Sequence, residues 1–94
     1  MRVQCKRCSS TVFNIPEYTL EQKKHLFGLK SSGNSVLLMK EIKMLHKLRL
    51  IEVKFIMMHI NEEYGKCNRC NFSNLNEEFI NCPKCKALNF NWKV

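Results

Sequence analysis

Apolar residues recur at helical spacing through the middle of this chain and lose that spacing toward both ends. Leu38, Met39, Ile42 and Leu45 fall at i, i+4 and i+7, which predicts an amphipathic helix over 36–46. Val53, Ile56, Met57 and Ile60 repeat the pattern over 50–61, with Leu48 and Leu50 covering the turn between the two. Helices joined by so short a turn must pack antiparallel or at a steep angle. Lys40, Lys43, Lys47 and Lys54 lie off the apolar stripes, and Met39, Met44, Met57 and Met58 read as core filler. An earlier helix is expected over 20–31. Thr19-Leu20-Glu21-Gln22 is a capping box, with Thr19 as N-cap and Gln22 reaching back, and Gly33 stands just past the end. Ser35 is placed to cap the second helix.

The flanks read differently. Cys5-Lys6-Arg7-Cys8 is a cysteine knuckle running into a short strand over 9–13, and Pro16 breaks the chain after it. From Tyr64 onward cysteine, asparagine and aromatic residues replace the aliphatic pattern, so short strands around tight turns are expected. The organisation is an N-terminal knuckle and strand (1–16), a helical module (17–61) and a cysteine-rich module (62–94). A single core in 94 residues is marginal, and a staple such as a metal is expected.

The staple is written in the cysteines. Cys67-x2-Cys70 and Cys82-x2-Cys85 are two knuckles, each placing a pair of sulfurs about 3.5–4 Å apart, as tetrahedral zinc requires. The intervening 71–81 is long enough for a hairpin that returns one knuckle to the other. Four thiolates saturate a structural zinc and leave no position for water or substrate. Two disulfides compete with this reading; an iron–sulfur centre is disfavoured because the spacing matches no common cluster pattern. With Pro83 inside the second knuckle and Asn89-Phe90-Asn91-Trp92 closing it, residues 65–92 resemble a zinc ribbon. Lys86 departs from the ribbon pattern, which often has Gly after the knuckle; Asn71, its counterpart, tolerates positive φ better.

Cys5 and Cys8 supply half of another tetrahedral site. Three readings stay open: a second metal held with two of His25, His46 and His59; an exchange of ligands with the ribbon or a bridge between chains; or free thiols. His25 and His59 are the better candidates, because one sits on the first helix and the other at the end of the third. A thioredoxin-like redox role needs a helix N-terminus after the first cysteine, where this sequence reads as strand.

The helical pair carries a second resemblance. Met39-Lys40 and Leu48-x-Leu50-x-Glu52-Val53-Lys54 are similar to the helical hairpin of the bacterial ribosomal stalk protein's C-terminal domain, with Lys43 where that family has Arg. The similarity covers under a third of the chain and implies recruitment of translational GTPases through the hairpin. The family's Thr-Gly-Leu-Gly turn is His46-Lys47-Leu48-Arg49 here, so both glycines are gone. An αL position there would cost roughly 1 kcal/mol.

The formal charge of +8 favours an acidic partner or nucleic acid. Twelve of the sixteen basic residues are Lys, however, which lacks the bidentate fork of Arg. No Asp, no phosphate loop and no metalloprotease spacing is present, so an enzyme is not expected unless Cys5, Cys8 and His59 converge on an open metal position or a deep pocket. No apolar run approaches a membrane span, and the absence of a secretory stretch at Met1–Cys5 points to a reducing, cytoplasmic setting. The expected protein is a small metal-stabilised α+β chain, a zinc-binding protein-interaction module. Lys40, Lys43 and Lys54 are its charged contacts, and exposed Phe55 or Met58 its apolar anchors. The alternative is a regulatory zinc ribbon that binds RNA or DNA.

Overall fold

The computed structural model describes residues 2–8 and 11–94. Strand β1 (Arg2–Gln4) pairs antiparallel with β2 (Val12–Asn14), setting Val3 opposite Phe13. Three helices follow: α1 (Leu20–Ser31), α2 (Ser35–Leu45) and α3 (Leu50–His59). The chain closes with β3 (Phe79–Asn81) antiparallel to β4 (Leu88–Phe90). Among the described residues the architecture is a small α+β fold of three helices and two two-stranded sheets.

Local chemistry sets the ends of α1. The Thr19 hydroxyl accepts from the Gln22 N–H at 3.2 Å, and the Gln22 side chain accepts from the Thr19 N–H at 2.9 Å. At the other end Asn34 donates to the Leu29 carbonyl and Gly33 to the Lys30 carbonyl, a Schellman closure that puts Gly33 at φ +76°. Two expectations need correction here. Asn34, not Ser35, precedes α2 as its cap, without a side-chain bond; Ser35 is the first helical residue. The α2–α3 turn meets no glycine requirement, because His46 and Arg49 are both extended and neither Lys47 nor Arg49 has a positive φ. The Glu52 carboxylate instead fixes the start of α3 by accepting from the Arg49 backbone N–H at 2.9 Å. Leu50, expected to cover that turn, is exposed, while Leu48 packs on the core.

One core draws on all three stretches of the chain. Val3, Phe13 and Ile15 come from the N-terminal segment, and Leu26, Leu38, Ile42, Val53 and Ile56 from the helices. Leu88, Phe90 and Trp92 come from the final strand and its extension. Helix α3 stops at His59 because Ile60 turns extended and bridges Phe90, while the Asn61 N–H donates to the Phe90 carbonyl at 3.1 Å. The strand read over 9–13 begins at Val12 in the structure; Ser9 and Ser10 lie outside the described residues.

Candidate metal centre

Each of the two C-terminal knuckles, expected to form a ribbon, is a tight backbone loop. Cys67 donates its N–H to the Phe72 carbonyl and Cys82 to the Ala87 carbonyl, both at 2.8 Å, which curls each loop around its first sulfur. The curl drives Asn71 to φ 65° and Lys86 to φ 69°, the two positions flagged by comparison with ribbons. Glycine at Lys86 should therefore raise the unfolding free energy by about 0.5–1 kcal/mol, the αL relief less the added chain entropy. Denaturant unfolding of the Lys86→Gly variant checks this, and Asn71→Gly should gain less.

The hairpin lies elsewhere than expected. Paired strands β3 and β4 flank the second knuckle, and 71–78 is an irregular loop. Side chains rather than a ladder hold that loop: the Asn91 amide donates to the Leu75 and Glu77 carbonyls at 3.2 and 3.0 Å. The result is convergence. The sulfurs of Cys67, Cys70, Cys82 and Cys85 all lie within 4.8 Å of one another. Cys67 and Cys85 are 3.6 Å apart, as are Cys70 and Cys82. That is far beyond a disulfide bond of about 2.05 Å, and close to the roughly 3.8 Å between sulfurs on a tetrahedral ion. These four residues could hold a metal ion.

Electrostatics agree with the geometry. Burial works to raise the Cys67 thiol, but the N–H groups of Cys70 and Arg69, the Asn89 amide and Cys85 outweigh it and bring it down to about 6. Cys85 is pushed up to about 12, by burial first and then by Cys70, Cys67 and Cys82, with the Ala87 N–H opposing. Crowded sulfurs cannot all ionise without a cation among them. A divalent ion is the counter-charge that allows it.

A second cluster forms beside the first. Cys5, Cys8 and His59 bring their ligand atoms within 4.8 Å of one another and could also hold a metal ion. The knuckle is fixed against the ribbon, since the Lys6 N–H donates to the Asn81 side chain at 3.3 Å and Arg7 to the Cys85 carbonyl at 3.3 Å. His25 does not join. It is exposed on α1, 3.8 Å from Glu41. His46 packs its ring edge-on against Tyr18 at 5.1 Å, away from the cluster.

Of the residues expected to bind a partner, Lys40, Lys43, Lys54 and Met58 are exposed. Phe55 is not: it is 8 % exposed and stacks on Phe13 at 4.2 Å, so it is core rather than anchor. The aromatic residues near the ribbon are similarly engaged, with Phe90 and Trp92 buried and Phe79 edge-on to Phe90 at 5.2 Å.

Sequence reasoning missed the asparagines. Asn61, Asn89 and Asn91 are buried and bonded. The Asn89 amide donates to the Cys67 sulfur at 3.6 Å while its oxygen accepts from the Asn68 N–H at 2.8 Å. The Asn68 side chain ties the His59 and Leu88 carbonyls together at 2.9 and 3.1 Å. These are the supports that aim metal ligands. Their only trace in the sequence is Asn89-Phe90-Asn91-Trp92, where polar and aromatic residues alternate in a strand that the core covers.

No protein-family model matches the chain, and comparisons with curated proteins and with solved structures return no match.

Proposed function

We propose that the chain is a non-enzymatic, zinc-stapled docking module whose basic helical face engages an acidic protein surface. One observation carries the reading: the four sulfurs of Cys67, Cys70, Cys82 and Cys85 lie close enough together to hold an ion, and four thiolates would saturate it and leave binding to the exposed helices. Thiolates alone favour zinc over the harder divalent cations. On α3, Ile51, Lys54 and Met58 follow one another at i, i+3 and i+7 and are all exposed. On α2, Val36, Lys40 and Lys43 fall at i, i+4 and i+7 and are also exposed. Apolar groups flanked by lysines suit a protein partner: a few buried apolar contacts carry affinity, and the charges set rate and orientation. The likeness of this hairpin to the ribosomal stalk protein supports a partner from the translation machinery, namely a translational GTPase, and a cytoplasmic setting. No described helix is long and apolar enough to cross a membrane.

The test is a Lys40→Glu, Lys43→Glu, Lys54→Glu variant that retains its metal and fold. Its binding to purified translational GTPases should fall at least tenfold relative to wild type. Unchanged binding, or no binding by wild type, removes the hairpin reading. Mixed-sequence RNA and DNA over a salt series test the alternative. Tight binding that weakens by several powers of ten as salt rises would make phosphate the ligand instead.

A further inference from the structure

We propose that Cys5, Cys8 and His59 bind a zinc-class divalent ion through three protein ligands, leaving a fourth position open to solvent for an exchangeable anion. This site would differ in kind from the closed ribbon, and the inference does not rest on the docking reading. The spacing suits an ion. Cys8 Sγ and His59 Nε2 are 3.6 Å apart, against about 3.5 Å for sulfur and nitrogen on one tetrahedral zinc. The histidine is set for ligation: its Nδ1 lies 2.6 Å from the Phe55 carbonyl, so Nδ1–H donates there and the Nε2 lone pair faces the cysteines. Cys5 is buried and accepts from the Cys8 N–H at 3.3 Å and the Leu88 N–H at 3.4 Å, bonds that favour a thiolate.

The open position follows from the ligand count. The described residues include every Cys, His and Glu of the chain, and no fourth such side chain joins the three within 4.8 Å. Cys5 and His59 are buried whereas Cys8 is exposed, so the vacant direction faces out on the Cys8 side. An ion with two thiolates and a neutral imidazole has no net charge. The incoming ligand comes from solvent, and beside a neutral centre the guanidinium of Arg7, held at the Cys85 carbonyl, favours an anion such as hydroxide or a small thiolate. The site also joins three parts of the fold, the N-terminal knuckle, the end of α3 and, through Leu88, strand β4.

Cobalt reports coordination directly. Full-length protein reconstituted with Co²⁺ should bind two ions per chain, and adding mercaptoethanol or azide should shift the visible bands of one. Cys8→Ser should bind one ion, keep the four-thiolate spectrum of the ribbon, and lose the response to added anion. The ribbon ion thus checks folding of the variant. One ion in wild type, two ions with no anion response, or a response that survives Cys8→Ser would each overturn the proposal. If Cys8→Ser also loses the ribbon ion, the wild-type ion count and anion response decide it.

Discussion

Replacing Cys82 with serine should remove one equivalent of metal and unfold the whole chain, not only its C-terminal half. Structural zinc contributes about 10–16 kcal/mol of apparent binding free energy in small thiolate sites, and this appears as folding energy because the unfolded chain has no preformed site. A domain this size has about 5–15 kcal/mol of net stability, so the loss exceeds what the rest can supply. Cys82 is itself buried and sits where β3 enters the knuckle, next to Asn81. Six residues beyond it lies Leu88, and then Phe90 and Trp92, all in the same core as Val53 and Ile56 of α3. Once the ribbon opens, those side chains leave the helices without their cover. Far- and near-ultraviolet dichroism should therefore fall together, and elemental analysis should show the metal loss. Native helical signal with only the Trp92 environment disturbed would show that the helices stand alone. A fully folded variant with undiminished metal would remove the structural role of the ribbon.

Local chemistry was legible in the sequence, and contacts between distant segments were not. Thr19, Gln22 and Gly33 carry their own instructions, since capping and Schellman geometry involve residues within one turn. The sulfurs were legible because a knuckle is also local, and spacing alone brings each pair together. Phe55 fails for the opposite reason. Nothing within a few residues of it reveals that the β1–β2 hairpin, some forty positions earlier in the chain, lays Phe13 across its ring. His25 fails in the same way: it was expected to converge with His59 on Cys5 and Cys8, and only the packing of the end of α3 against β4 brings His59 there. The asparagines left little trace because most of their partners are backbone carbonyls or N–H groups that the fold brings near. The convergence of Cys5, Cys8 and His59 also bears on catalysis, since an open metal position was one condition for expecting an enzyme.

Phe90→Ala should cost about 3–5 kcal/mol, the range for deleting a buried aromatic ring from a packed core. The ring is fully buried and lies where β3, β4 and the end of α3 meet. Phe79 is edge-on to it at 5.2 Å and Trp92 stacks at 6.0 Å from within the ribbon; Phe55 and His59 of α3 sit at 6.4 and 6.2 Å. No small shift of one element can refill the space, because its walls come from both strands and from helix α3. The backbone around the ring is fixed as well, with the Phe90 carbonyl accepting from Asn61 and β4 held in register against β3. The cost should consequently fall at the upper half of the range, and Phe90→Leu, which retains most of the volume, should cost less than half as much. Because His59 is one of the walls, the variant should also weaken metal binding at Cys5, Cys8 and His59 more than at the four ribbon sulfurs. Denaturant unfolding of the metal-loaded protein measures the first effect, and competition with a chelator measures the second. A loss under about 1.5 kcal/mol would mean that the ribbon and the helices do not share this core, and that they fold as separate bodies joined at Asn61.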